Sequence, residues 1–243
     1  MSVSVICELL GVPVADGDMF RAWTELDMAI SAPQEEIVAA RASLRGYLAE
    51  LVVQRCTAPT DDLLGVLVTA RDEQDRFSEP ELVQFGATLL NAGYETTASQ
   101  VANFVYTLLA DRRHWEQLVD NPGLIPRAVE ELLRYVPFIL FSFPCVAVKP
   151  VELGRAADPG GRDRAGRGRV RQSRRVGLRP RRRARLLPRG HGPHRLRPRV
   201  HFCLGASLAR QEFQIALETL TRRLPSLRLA ITADEVPWGA GAC

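Results

Sequence analysis

The hydrophobic and polar positions of this chain repeat mostly at helical spacing. Residues 4–11 read as the last turns of a helix stopped by Gly11 and Pro13, which suggests that a segment upstream is missing. Residues 18–30 and 34–56 predict two helices, the second with Ile37, Ala40, Leu44, Tyr47, Leu48 and Leu51 on one face. Asp61 or Asp62 caps a short helix through Ala70, and Asp72 to Arg76 form a polar turn. Ser78-Glu79-Pro80-Glu81 carries a complete helix-start signature: a serine cap, proline in the first turn and glutamate at the capping-box position. The helix it opens runs to about Ala110 and is apolar almost all round, as expected of a central buried helix. Shorter helices follow at 112–119 and 124–135, the latter ended by Pro137. Residues 145–153 alternate as a strand, 204–224 form an amphipathic helix, and 227–231 predict a final strand. The expected fold is mainly α with minor β.

Two compositions share the chain. Residues 154–199 hold seventeen arginines against Asp158 and Asp163, a local balance of +15 that leaves −11 for the rest of a chain whose net charge is +4. The basic total therefore says little about the protein as a whole. Three parts result: a helical region over 1–153, the arginine-rich segment 154–199, and a C-terminal part over 200–243. The five cysteines (Cys7, Cys56, Cys145, Cys203 and Cys243) show no disulfide spacing and suit a reducing compartment. Residues 2–14 are apolar but too short to span a bilayer and lack a basic leader, so the expected location is cytoplasmic, with no membrane anchor.

Three stretches carry candidate chemistry. Cys203 directly precedes the amphipathic run from Leu204, where free backbone N–H groups and the helix dipole favour a thiolate, a good soft ligand for iron. Gly205 leaves room for a flat cofactor to approach the backbone. The same residues also fit a plain buried cysteine at a helix start. Within the long helix, Asn91-Ala92-Gly93-Tyr94-Glu95-Thr96-Thr97 puts a glycine and polar groups into an apolar run, a broken local rule of the kind found at functional sites. It also fits a glycine kink whose hydroxyls bond the i−4 carbonyls. Glu131 and Arg134 form an i,i+3 pair, which as a surface pair would mean little. His191, His194, His201 and Cys203 match no standard zinc spacing.

The order and spacing of these stretches resemble the cytochrome P450 family, soluble bacterial type. His201, Cys203, Gly205, Leu208 and Ala209 match its cysteine-ligand loop, Phe-Gly-x-Gly-x-His-x-Cys-x-Gly followed by a Leu-Ala helix. Ala92 to Thr97 match its oxygen-side motif, small-Gly-x-acid-Thr-Thr, and Glu131-x-x-Arg134 its Glu-x-x-Arg pair. The resemblance covers about residues 2–153 and 200–231 and implies the C-terminal part of the P450 fold. It implies haem b (iron protoporphyrin IX) bound between Ala92-Gly93 and the loop at Cys203, with Cys203 as axial ligand to the iron. Glu95 and Thr96 would be proton-handling groups, Glu131 and Arg134 structural. His201 would bond one haem propionate, and Gly93 would clear space for dioxygen. The implied activity is a monooxygenase, an oxidoreductase inserting one oxygen atom into a small organic substrate, with electrons from a ferredoxin or similar donor. Phe138 to Phe143 would line part of the pocket. The chain departs from the family in three ways. Leu196, Arg197 and Arg199 stand where Phe, Gly and Gly belong, Cys145 replaces the arginine that pairs with a propionate, and the family's N-terminal portion is absent.

The arginine-rich segment has three readings: an arm that binds nucleic acid through phosphates, on an otherwise non-enzymatic helical remnant; a solvated, disordered charge run; or codons read out of frame. The genetic code discriminates. Arg155 to Asp163 require CGN GCN GCN GAY CCN GGN GGN CGN GAY, which shifted by one base permits Gly-Leu-Arg-Ile-Pro-Ala-Gly-Glu, as family members carry after Val-Glu-Leu-Gly. His194 to Arg199, shifted likewise, permit Ile-Ala-Phe-Gly-His-Gly, the missing front of the cysteine loop. One extra base near Gly154 and one lost near Arg199 account for the segment. The out-of-frame reading is therefore preferred to a nucleic-acid arm, and the protein is expected to be an impaired fragment of such an enzyme.

Overall fold

A computed structural model describes residues 2–29, 32–74, 78–136, 145–146, 151–153, 156–158, 163–164, 202–232 and 235–236. Eight α-helices are described: α1 (Ser2–Leu10), α2 (Gly17–Met28), α3 (Gln34–Thr57), α4 (Leu63–Gln74), α5 (Glu79–Ala110), α6 (Arg112–Asp120), α7 (Ile125–Tyr135) and α8 (Ala206–Arg223). Short strands β1 (Cys145–Val146) and β4 (Asp163–Arg164) pair antiparallel, with Cys145 opposite Arg164. Strands β2 (Val151–Leu153) and β3 (Ala156–Asp158) form a second antiparallel pair.

Helix α5, with 32 residues, is about 48 Å long at 1.5 Å per residue and is the axis of the molecule. Its start follows the capping-box rule. Ser78 Oγ accepts from the Glu81 amide, and the Glu81 carboxylate accepts from the Ser78 amide at 2.8 Å. Two apolar clusters form on it. The first joins Leu82, Val83, Ala87 and Leu90 to α1 (Ile6, Leu10), α2 (Phe20), α3 (Leu44, Leu48, Leu51) and α4 (Leu64, Val68). The second joins Phe104, Leu108 and Leu109 to Trp115 and Leu118 of α6, Leu132 and Leu133 of α7, and Phe213 and Leu217 of α8. Phe104 and Phe213 meet edge to face with ring centroids 5.0 Å apart. Between Leu90 and Phe104 the helix adds no fully buried apolar side chain to either cluster, only Tyr94 packed against the first and Val101 against the second. It is not apolar all round there: Asn91 to Thr96 are only partly covered, and Thr97 and Gln100 are buried polar residues.

Gly11 ends α1 in the left-handed region (φ 69°), and a Cβ there would lie 2.0 Å from Asp62 Oδ2. Asp62 is the cap of α4, accepting from the Gly65 amide at 2.8 Å. Arg55 of α3 ties the junction, donating from Nε to Asp62 at 3.0 Å and from Nη2 to the Gly11 carbonyl at 2.6 Å. Burial acts to raise the Asp62 carboxyl. The bonds from Thr60 and the Gly65 amide and the Arg55 charge outweigh it, and the net shift is downward. A depressed carboxyl contributes stability above its unfolded value, near 3.9, and that contribution is lost as pH falls through the folded value. Asp62→Asn is therefore expected to lower the unfolding midpoint at neutral pH by an amount that shrinks below about pH 4. Thermal melts across pH 2–7 would show it, and a pH-independent difference would contradict it.

Two predicted boundaries change. The polar turn at Asp72 is helical, because α4 continues through Gln74. No strand forms over 227–231. The carbonyls of Pro225 and Leu227 are taken by side chains of α6: Trp115 Nε1 and Arg112 Nη2 donate to Pro225 O at 3.2 Å each, and Arg112 Nη1 donates to Leu227 O. With no strand beside it among the described residues, the segment is held by these bonds instead of a ladder.

Candidate functional site

Helix α8 starts at Ala206 with Gly205 as its cap residue. The Ala206 amide bonds the Cys203 carbonyl at 3.2 Å and the Ala209 amide bonds the Gly205 carbonyl at 2.8 Å, so Cys203 lies one turn ahead of the first buried residue, Ala206. The thiol is exposed, as are its neighbours Phe202 (43 %) and Leu204 (76 %). A Cβ built on Gly205 meets nothing within 4 Å, so the chain's own atoms do not require glycine there. His201 lies outside the described residues, as do the pocket residues Phe138 to Phe143.

On α5, the Thr96 hydroxyl donates to the Ala92 carbonyl, and Glu95 accepts from Ser99 Oγ at 3.0 Å. Ala92, a small apolar residue midway along the central helix, is exposed. The glycine beside it has a use the sequence did not reveal. A Cβ on Gly93 would lie 2.7 Å from Ile6 Cδ1 and 2.8 Å from Ile6 Cγ1, so the notch receives Ile6 of α1. The space left by the missing side chain is filled by that packing. Any role of Gly93 toward a cofactor is then a matter of its backbone. Gly93→Ala is expected to cost about 1–3 kcal/mol through overpacking, less any gain in helix propensity. Chemical denaturation should read that loss, and the double variant Gly93→Ala/Ile6→Val should recover part of it.

Asn91 and Tyr94 link the same stretch to α2. Asn91 accepts from Thr24 Oγ1 at 3.2 Å and donates to Asp27 at 2.7 Å, while the Tyr94 hydroxyl donates to Glu25 at 3.2 Å. Gln100, one helical turn beyond Thr96, donates to the Val136 carbonyl at 3.3 Å, and its Oε1 is buried without a hydrogen-bond partner. On α7, Arg134 grips Glu131 in two bonds, Nε to Oε2 at 2.6 Å and Nη2 to Oε1 at 2.7 Å. Glu131 is 2 % exposed, so this is a buried, bidentate pair and not a surface one. Its carboxylate favours the charged guanidinium and raises the Arg134 pKa. The adjacent residue, Glu130, reaches across to Arg210 of α8.

An accessible thiol and open space at Gly205 suit a flat group carrying a thiophilic metal. Among the described residues, no group of three or more His, Cys, Asp or Glu is gathered as a separate metal site.

Comparison with known proteins agrees with the motifs. No family model matches the chain. It is 44 % identical over 246 residues to nocardicin C N-oxygenase of Nocardia uniformis subsp. tsuyamanensis, an alignment spanning 100 % of this chain and 61 % of the relative. It is 42 % identical over 254 residues to mycinamicin IV hydroxylase/epoxidase of Micromonospora griseorubida, spanning 99 % of this chain and again 61 % of the relative. The solved LnmA cytochrome P450 hydroxylase from the leinamycin biosynthetic pathway of Streptomyces atroolivaceus superposes with a TM-score of 0.84 at 44 % identity, covering 99 % of this chain and 63 % of that structure. The chain is similar over nearly its whole length to bacterial cytochrome P450s. It spans about 61 % of the length of these curated P450 relatives. The family's cofactor is haem, iron protoporphyrin IX. No helix among the described residues is long and apolar enough to cross a membrane.

Proposed function

We propose that this chain is the C-terminal part of a haem-thiolate monooxygenase that oxidises a small organic substrate with dioxygen and electrons from a ferredoxin-type donor, in the cytoplasm. The observation that carries the reading is the accessible Cys203 at the foot of α8, on a helix packed against both α7 and α5, which bear the other two motifs. Bound haem would supply dioxygen activation and transfer of one oxygen atom to the substrate, its iron held by a cysteine thiolate. The chain's own residues would do the rest. Cys203 would supply the sulfur that holds the iron, and Gly205 and Ala92 would leave room for the group beside the backbone. His201 would bond a propionate. Glu95 Oε1 and Thr96 Oγ1 would hold and pass protons on the oxygen side, Thr96 turning from the Ala92 carbonyl that it bonds at rest. The names of the relatives, an N-oxygenase and a hydroxylase/epoxidase, support a natural-product-like substrate.

Residues 154–199 are, in this proposal, an out-of-frame reading of the segment leading into the cysteine loop, flanked by the helical region 1–153 and the ligand region 200–243. As written, the chain takes up haem weakly or not at all. With the frame restored and haem, ferredoxin and a reductant supplied, a substrate should gain one oxygen atom by mass. Thr96→Ala should lower that product by about 10²-fold without altering the haem spectrum. An unchanged rate would remove Thr96 from proton handling. Salt-dependent RNA binding by the unrestored chain, with no haem spectrum from the restored one, would favour the nucleic-acid arm instead.

A further inference from the structure

The sulfur of Cys203 has little of its own to fix it. Phe202, Leu204 and Gly205 around it are all exposed, and the first buried side chain is that of Ala206. The position of the loop therefore follows the first turn of α8. That turn is gripped by Arg210. Its Nη1 donates to the Ala206 carbonyl at 3.2 Å, its Nε to Glu130 Oε1 at 2.5 Å and its Nη2 to Glu130 Oε2 at 3.4 Å. We propose that Glu130 and Arg210 are positioning residues, a brace that fixes the Cys203 loop on α7 through one short bonded path. The path runs from the Cys203 carbonyl to the Ala206 amide, and from the Ala206 carbonyl through the Arg210 guanidinium to Glu130. The consequence for an iron ligand rests on the reading of Cys203 given above; the brace itself does not.

Geometry divides the labour of α7. Glu131 holds Arg134 within the helix, whereas Glu130, one position earlier, faces a partner eighty residues away. The planar guanidinium can hold a carboxylate side-on and still bond a carbonyl, which a lysine ammonium cannot do with the same geometry. The side chains of Arg210 and Glu130 are 29 % and 37 % exposed, so water screens the pair and its share of global stability is small. The brace acts locally, and that separates it from a merely structural ion pair.

The test is amide hydrogen exchange of the intact chain at Ala206, Ala209 and Arg210, with the interiors of α7 and of α8 over 213–221 as internal controls. Arg210→Ala and Glu130→Gln are expected to speed exchange at the three amides by about tenfold while the controls stay within about twofold. Arg210→Lys should fall between, and the exchanged pair Glu130→Arg/Arg210→Glu should recover most of the protection. Unchanged exchange at the three amides, or acceleration spread evenly through the controls, would overturn the brace. With residues 154–199 returned to frame and haem supplied, the same variants should shift the reduced carbon-monoxide spectrum away from the thiolate form. A frame-restored chain that shows the exchange pattern but never takes up haem would leave the brace standing and sink the ligand reading. A thiolate spectrum that survives in every variant, with flat exchange, would do the reverse.

Discussion

Arg134→Ala should destabilise the protein by about 3–5 kcal/mol, because it takes two charge-assisted bonds from a buried carboxylate beside the second apolar cluster. Glu131 is 2 % exposed and receives two charge-assisted bonds from Arg134 at 2.6 and 2.7 Å. Removing the guanidinium takes away both bonds while the burial of the carboxylate remains. Against a typical domain stability of about 5–15 kcal/mol this is a fifth or more of the whole, and it falls beside Leu132, Leu133 and Leu217, which seat α8. The urea midpoint should drop at nearly constant slope. Glu131→Gln, which removes the charge and keeps the shape, should cost less. Asp111–Arg113 supplies the control. That pair is 35 % and 73 % exposed, and Arg113→Ala should change stability by under about 1 kcal/mol. Equal losses at the two sites would refute the distinction between them.

What the sequence conveyed well is what local rules decide. The capping box at Ser78, the cap at Asp62, the glycine stop at Gly11 and the apolar face of α3 each depend on residues a few positions apart, and each stands where the pattern put it. The motif residues were legible too, because a cysteine before a helix or a glycine among leucines breaks its surroundings. The partners of those residues were not legible. Nothing near Gly93 says that Ile6 fills its notch, nothing near Asn91 says that Thr24 and Asp27 meet it, and Glu130 is separated from Arg210 by the least protein-like part of the chain. The interruption of α5 at Asn91 to Thr97 was legible as polar residues in an apolar run, but its packing was not. Composition averages over the helix, whereas its middle is covered on one side only, by Ile6 and around Thr97 and Gln100, and leaves Ala92 exposed and Glu95 and Thr96 half-buried. The final strand failed because alternation alone cannot supply a neighbour to pair with, and Arg112 took the Leu227 carbonyl.

The largest effect expected anywhere in the chain is at position 203. Serine there keeps the size of the side chain and its place ahead of α8, but replaces a soft sulfur donor with a hard, weakly acidic oxygen. Nothing in the packing depends on the exchange, since Cys203 is exposed and the turn is held by Ala206 and its bonds. Folding should be unaffected and iron ligation lost. The decisive measurement is the reduced carbon-monoxide difference spectrum of three proteins expressed with haem supplied: the chain as written, the chain with residues 154–199 returned to frame, and the latter carrying Cys203→Ser. The thiolate Soret band should be weak or missing in the first, present in the second and abolished in the third. A full thiolate band in the chain as written would contradict the out-of-frame segment, and one that survives Cys203→Ser would contradict the iron ligand itself.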